Sequence, residues 1–191
     1  MKQKYIFLIL ISIYLSSCVI TNTPGFYSGY KKLNDEEKSL IYFPSNDQNI
    51  CSLSKSNKIA SITASQLQKC LKNNDTALVY IWSPFCHSKI CISIESCQIY
   101  CKQHGYKLYV VSTYYDMPKM TIQNTSNTPI FSINQQYYGT DYCNKYVNLF
   151  LKDLIKDKNI SKNEFYNLFF YFKSDNYIGG KLDLFSEQTI R

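Results

Sequence analysis

The sequence is poor in histidine, glycine and proline, with 2, 6 and 5 of these residues among 191. A histidine-based metal site is not expected when only His87 and His104 are available. The chain also lacks a glycine-rich loop for phosphate, a nucleophilic serine motif, paired carboxylates beside an apolar run and any internal repeat. We therefore expect no cofactor and no bound metal. Few glycines and prolines beside 18 tyrosines and 11 phenylalanines indicate a globular chain.

No dense run of one charge is present, although the formal net charge is +7. The lysines are scattered along the chain, which is typical of a solvated basic surface. An exported chain, which the amino terminus indicates, also has little access to nucleic acid. We therefore expect no nucleic-acid partner.

The longest apolar run lies at the amino terminus, at residues 5–15, and is too short to span a bilayer comfortably. Lys2 and Lys4 precede it, and small residues and Cys18 follow it, which is the order of a signal peptide and its cleavage site. The sequence Leu-Ser-Ser-Cys at 15–18 resembles the bacterial lipobox, whose cysteine is acylated. We expect a lipoprotein signal peptide at 1–17, with an ordinary signal peptide that ends beside a cysteine as the alternative.

An acylated Cys18 would anchor the chain to a membrane surface without spanning it. Val19 follows where an aspartate would resemble the inner-membrane retention signal, so we expect the outer membrane, facing the periplasm. Residues 18–29 include Pro24 and Gly25 and are predicted to be a tether. We expect an amino-terminal extension at 30–61, a domain at 62–173 and a tail at 174–191.

Seven cysteines remain after Cys18, and an exported compartment permits disulfides between them. An odd number cannot all pair within one chain, so at least one thiol stays free, is capped or bonds another molecule. Cys51 lies in an irregular segment and is the best candidate for a structural disulfide, with its partner unknown. Four others are predicted to pack in the core on apolar helix faces: Cys70, Cys97, Cys101 and Cys143.

Apolar strands alternate with amphipathic helices along the chain, which predicts an α/β sandwich with a mixed central sheet. The predicted strands are 77–82, 106–115 and 129–133, the last one opening a hairpin. The predicted helices are a short one from 34 that runs into a strand, 62–75, a long one from Cys86 to about Gly105, 141–157 and 161–172.

Two features of this order resemble the thioredoxin superfamily, particularly its bacterial periplasmic lipoprotein branch. Cys86 follows a buried strand at the predicted start of a long helix, and Thr128-Pro129 opens a strand about forty residues later. The likeness covers about residues 62–157. It implies a thioredoxin-like domain, an attacking thiol at Cys86 and a cis-proline at Pro129 that faces it.

The motif itself departs from that family, which places its second cysteine three residues after the first. Lys89 occupies that position here, and the next cysteine is Cys91. In an uninterrupted helix the α-carbons of Cys86 and Cys91 would be about 8 to 9 Å apart, beyond the roughly 7 Å that a disulfide tolerates. These two cysteines could bond only if the first helical turn were unwound.

A thiol in the first turn of a helix is activated, because the unpaired N–H groups there stabilise a thiolate. His87 and Lys89 could add positive charge beside Cys86. We therefore expect thiol–disulfide exchange through Cys86 as a single attacking thiol, with a protein thiol or disulfide as partner. The alternatives are an inert, buried Cys86 in a non-catalytic binding module and a copper-handling protein with ligands Cys86, Cys91 and His87.

Overall fold

A computed structural model describes residues 25–51, 58–124 and 128–186. Within these ranges the strands are β1 (Ile41–Tyr42), β2 (Ile59–Ile62), β3 (Thr76–Trp82), β4 (Lys107–Ser112), β5 (Ile130–Ile133), β6 (Phe169–Lys173) and β7 (Asn176–Lys181). The helices are α1 (Asp35–Ser39), α2 (Ala64–Leu71), α3 (Ile94–His104), α4 (Met117–Gln123), α5 (Cys143–Ile155) and α6 (Lys162–Phe165), and a 3₁₀ turn spans Tyr30–Lys32.

The seven strands form one mixed sheet in the order β1-β2-β5-β4-β3-β6-β7. Strands β1 to β5 are all parallel to one another. Strand β6 pairs antiparallel with β3, and β7 pairs antiparallel with β6. Since β1 to β5 run in the same direction, they all end at one edge of the sheet, the carboxyl edge.

Helices cover both faces of the sheet and bury two separate cores. The apolar sides of α2 and α5 pack on one face, and those of α3 and α4 pack on the other. Strand β3 lies between the two cores, which is why Ala77, Leu78, Val79 and Tyr80 are all at most 1% exposed. The molecule is an α/β sandwich with a mixed central sheet, as the sequence predicts.

Two helix starts agree closely with the sequence pattern because their signals are local. Thr63 caps α2 with Gln66 in a capping box, and Asn34 caps α1 with Glu37 in the same way. In each pair the side chain of the cap residue accepts from the backbone N–H of the third helical residue. The side chain of that third residue accepts in turn from the backbone N–H of the cap residue. Helix α5 also buries the apolar stripe predicted within 141–157.

The predicted hairpin after Pro129 and the predicted end of the helix from 161 were wrong. The strand that follows Pro129 is not part of a hairpin, because β5 pairs in parallel with β2 and β4. The helix predicted at 161–172 ends at Phe165, and Phe169 already begins β6. Strands β6 and β7 form a hairpin instead, from the end of the predicted helix and the start of the predicted tail.

The sheet is larger than the domain predicted at 62–173. Strand β1 and most of β2 belong to the predicted extension, and β7 belongs to the predicted tail, yet all three pair within the same sheet. In the part of the chain that the structure describes, no helix has the length and apolar character needed to cross a membrane. The predicted signal peptide and Cys18 lie outside the described residues.

Candidate functional site

Several segments converge at the carboxyl edge of the sheet, where α/β proteins commonly place their sites. Residues 83–93 follow β3, residues 113–116 follow β4, and residues 134–142 follow β5. The amino-terminal segment 25–33 crosses the same edge, because the Ser28 N–H donates to the Asp141 carbonyl at 2.9 Å. The Ser28 carbonyl in turn accepts from the Tyr115 N–H at 2.8 Å.

The loop at 83–93 contains a disulfide between Cys86 and Cys91, whose α-carbons are 5.9 Å apart. The predicted helix start at Cys86 was wrong, because Ser93 is the N-cap and α3 begins at Ile94. The chain before Ser93 is therefore non-helical and can bring the two cysteines within bonding distance. The sequence predicted that these cysteines could bond only if the first helical turn were unwound, and the structure has no helix there.

The first half of this loop is fixed by contacts with the segment that follows β4. The Lys119 ammonium donates to the Pro84 carbonyl at 3.1 Å and lies 4.2 Å from the centre of the Phe85 ring. The Phe85 ring also meets the Tyr114 ring edge-on, with 4.7 Å between centroids. Asp116 holds the same ammonium at 3.4 Å. Phe85, the residue before Cys86, is thus anchored by the side chains of Lys119 and Tyr114.

The second half of the loop is fixed from the sheet and from the helix. The Tyr80 hydroxyl donates to the Ile92 carbonyl at 2.9 Å, and the Ser93 hydroxyl accepts from the Ser96 N–H at 3.0 Å. Between the two anchored ends, Cys86 and Cys91 are half-buried. The loop is therefore anchored on both sides of two bonded cysteines that are themselves partly exposed.

The charged residues expected to assist Cys86 lie at the tip of this loop. His87 and Lys89 are both exposed, on either side of the exposed Ser88. Because α3 starts eight residues after Cys86, the thiolate stabilisation expected from the first helical turn does not apply to it. The predicted reason for an activated Cys86 was therefore wrong, although the loop exposes the cysteine pair.

Pro129 does not belong to this site. No peptide bond between described residues is cis, so the bond before Pro129 is trans. Pro129 precedes β5, and β4 separates β5 from β3, which places these strands about 10 Å apart. The parallel direction also puts Pro129 at the amino end of β5, whereas Cys86 follows the carboxyl end of β3. Thr128 contacts Gln98 in the middle of α3 instead, at 3.1 Å.

A second disulfide joins Cys51 to Cys70, with 5.1 Å between their α-carbons. It confirms the disulfide predicted for Cys51 and supplies the missing partner. Cys70 is fully buried on α2, as predicted for a core residue, while Cys51 is half-buried. This bond fastens the irregular segment after β1 to the helix that covers one face of the sheet.

The remaining cysteines of the described chain, Cys97, Cys101 and Cys143, are free and at most 6% exposed. A hydrogen bond to Cys101, together with burial, raises the pKa of the Cys97 thiol. Burial raises the pKa of the Cys143 thiol, although its contacts with Tyr146 and Thr113 oppose the shift. All three thiols are core residues, as predicted, and the raised pKa values keep Cys97 and Cys143 protonated at neutral pH.

Sequence reasoning missed the contacts that close the carboxyl edge. The buried Ser28 hydroxyl donates to the Asp141 carboxylate and accepts from the Tyr30 N–H at 3.1 Å. Tyr115 is buried behind it, and its hydroxyl contacts Ser61 at 2.6 Å. Burial raises the pKa of Tyr115 to about 12, so it remains a neutral hydrogen-bonding group. No local pattern connects residues 113 positions apart, so the sequence alone carried no signal for this closure.

No group of three or more His, Cys, Asp or Glu side chains that could hold a metal ion occurs in residues 25–51, 58–124 and 128–186. The ligands considered for copper include Cys86 and Cys91, and these are bonded to each other. In the oxidised protein their sulfurs are therefore not thiolate ligands.

Comparisons of the chain with protein-family models, with curated proteins and with solved structures found no match.

Proposed function

We propose that this protein is a lipid-anchored protein of the bacterial envelope whose α/β sandwich domain exchanges disulfides through Cys86 and Cys91. The observation that supports this best is the placement of their disulfide on an anchored loop at the carboxyl edge of the sheet. Pro129 and a helix start at Cys86, both expected from the sequence, have no part in this exchange. Cys91 serves as the resolving thiol, so a single attacking cysteine is no longer needed.

The two disulfides differ in the properties that control exchange. A thiolate must approach one sulfur along the S–S axis, so accessibility limits the rate. Cys86 and Cys91 are both half-buried, whereas Cys70 in the other bond is fully buried. The Cys86–Cys91 bond also closes a loop with a sequence separation of only 5, so breaking it releases less chain than breaking the bond with separation 19.

The exchange is balanced without a cofactor. The Cys86 thiolate attacks a disulfide in a partner protein, forms a mixed disulfide and releases one partner thiolate. Cys91 then loses its proton and attacks the Cys86 sulfur, which releases the second partner thiolate. The protein is oxidised by two electrons and the partner is reduced by two. The reverse sequence oxidises a partner dithiol.

The proposed location depends on the amino terminus. Acylation of Cys18 after removal of 1–17 would hold the domain at the periplasmic face of the outer membrane. That compartment would keep Cys51–Cys70 oxidised and would supply protein dithiols and disulfides as partners.

A mixed-disulfide trap tests the exchange. Freshly reduced Cys91→Ser protein is mixed with a peptide dimer linked by one disulfide, and adducts are found by intact mass and peptide mapping. We expect a stable adduct on Cys86, because the thiol that would resolve it is absent. The wild-type chain should instead release both peptide thiols and recover its own disulfide.

Two variants serve as controls for the trap. The Cys86→Ser/Cys91→Ser protein should form no adduct, and Cys97→Ser, which removes a buried thiol on the neighbouring helix, should behave as the wild type. If neither Cys91→Ser nor Cys86→Ser formed an adduct, the exchange function would be wrong. A non-catalytic binding module would then be the better description.

A further inference from the structure

Three exposed aromatic side chains cluster where the described chain begins. Phe26, Tyr27 and Tyr142 are 45%, 42% and 37% exposed and form the aromatic patch. The Phe26 ring meets the other two edge-on, at 4.9 and 4.7 Å between centroids. The patch is held rigidly, since the Cys143 N–H donates to the Phe26 carbonyl at 3.0 Å and Tyr27 forms a β-bridge with Tyr142. An exposed cluster of this kind is typical of an interaction surface.

Two lysines border the aromatic patch. Lys31 and Lys32 are exposed, and they line a cleft of about 330 Å³ together with Tyr27, Gly29 and Asp141. The carboxylate in this cleft is already engaged, because Asp141 accepts from the Ser28 hydroxyl and lies 3.6 Å from the Lys31 ammonium. Two ammonium groups and one carboxylate leave the cleft beside the aromatic rings with one net positive charge.

The chain length before the patch restricts what can cover it. Six residues, 19–24, lie between Cys18 and Gly25, the first described residue, so seven Cα–Cα steps join the two. A chain of that length extends at most about 25 Å. If Cys18 is acylated as proposed above, Gly25 and the adjoining patch are therefore held within about 25 Å of the lipid anchor.

We infer that the aromatic patch and its two lysines dock on the membrane surface, with anionic phospholipid headgroups as the ligand. Tyrosine is enriched at the membrane–water interface, because its ring prefers the headgroup region and its hydroxyl stays hydrated. Lysines next to such rings are attracted to anionic headgroups. This inference rests on the lipid anchor of the proposed function, and it adds an orientation that an anchor alone would not give.

Docking in this orientation also places the disulfide loop near the bilayer. The Tyr114 ring lies against Gly29 on one side and contacts Phe85, the neighbour of Cys86, on the other. The aromatic patch and the Cys86–Cys91 bond are thus on the same edge of the sheet. The partners for exchange are then thiols or disulfides of protein segments at the membrane surface.

Quenching by brominated lipids tests the orientation in the full-length lipidated protein. The chain has one tryptophan, Trp82, so Trp82→Phe provides a silent background. In that background, Tyr27→Trp reports from the patch, and Lys102→Trp reports from the last turn of α3 at the opposite edge. In vesicles of phosphatidylglycerol and phosphatidylcholine, brominated lipid should quench the Tyr27→Trp protein at least about twofold and leave the Lys102→Trp protein unchanged.

Replacing both lysines tests the charge. Adding Lys31→Gln and Lys32→Gln to the Tyr27→Trp protein should reduce quenching in vesicles with phosphatidylglycerol and change it little in pure phosphatidylcholine. Equal quenching at the two tryptophan positions, or none at either on an acylated protein, would refute the docking. A third outcome would also refute the docking and would assign the patch to a protein partner. In that outcome the Tyr27→Trp protein is not quenched, and a Tyr27→Ser variant no longer forms adducts with the peptide.

The failures of the two proposals are distinguishable. Intact mass shows whether Cys18 carries acyl chains, independently of any fluorescence. An unmodified Cys18 would refute the anchor and with it the docking. An acylated Cys18 with no quenching would refute the docking alone and leave exchange at Cys86 to the trapping experiment.

Discussion

Replacing Cys51 and Cys70 together by alanine should lower the free energy of unfolding by about 3 kcal/mol. The bond has a sequence separation of 19, and the loss of loop-closure entropy for a loop of this size gives that magnitude. Cys70 is also fully buried, so its removal leaves some unfilled space beneath α2. Urea unfolding followed by circular dichroism measures the change.

Cys97→Ala is the matched control for this pair. Its thiol is fully buried on a helix, as Cys70 is, but it is free. Its loss should cost about 1 kcal/mol, since only packing and a weak hydrogen bond are removed. If the double variant lost no more than the control, Cys51–Cys70 would not stabilise the fold.

Gly29→Ala should lower the free energy of unfolding by about 3 kcal/mol, for two separate reasons. Gly29 has a φ of 84°, which costs a residue with a side chain about 1 to 2 kcal/mol. A Cβ atom there would also lie 2.5 Å from the buried Tyr114 ring. That ring is held against Phe85, so moving it disturbs the disulfide loop as well. Urea unfolding and the near-ultraviolet circular dichroism of the tyrosines report both effects.

Gly139→Ala separates the two reasons. Gly139 has a similar φ of 65°, but nothing lies within 4 Å of the position its Cβ would take. It should lose only the conformational part, about 1 to 2 kcal/mol. Equal losses in the two variants would show that the contact between Gly29 and Tyr114 does not matter.

Local signals in the sequence predicted the parts of the fold that depend on neighbouring residues. Three short-range features of the sequence are present in the structure: Thr63 as a helix cap, Ser161 with Glu164 as a capping box, and the apolar run of β3. Their alternation was enough to predict an α/β sandwich, because buried strands and amphipathic helices have few ways to pack.

Long-range pairing overrode the local pattern elsewhere. The aromatic run at 169–172 follows a genuine helix start at Ser161, so helical periodicity extended the prediction too far. Pairing of β6 with β3 and β7 determines that segment instead. The same limitation applies to Pro129. Its position along the chain predicted a place facing Cys86, but the strand order puts β4 between β5 and β3.

The candidate site was predicted only in part, because the start of helix α3 was placed at Cys86. Ser93 before Ile94 is itself an N-cap signal, and it would have placed the helix start beyond Cys91. Ile90 lies at helical spacing from Ile94, Cys97 and Cys101, so the apolar periodicity extended the predicted helix back past that boundary. With the start at Ile94, the spacing of Cys86 and Cys91 no longer forbids a bond.

Graded reduction of the oxidised protein is the most direct test of the exchange site. The protein is equilibrated with increasing dithiothreitol, alkylated and mapped by mass spectrometry, while circular dichroism follows the fold. We predict that Cys86 and Cys91 become alkylated first and together, with Cys51–Cys70 intact and the fold retained. Cys97 and Cys143 should stay unlabelled, because their raised pKa values keep them protonated. Opening of Cys51–Cys70 before Cys86–Cys91, or opening of Cys86–Cys91 only as the fold is lost, would contradict the account.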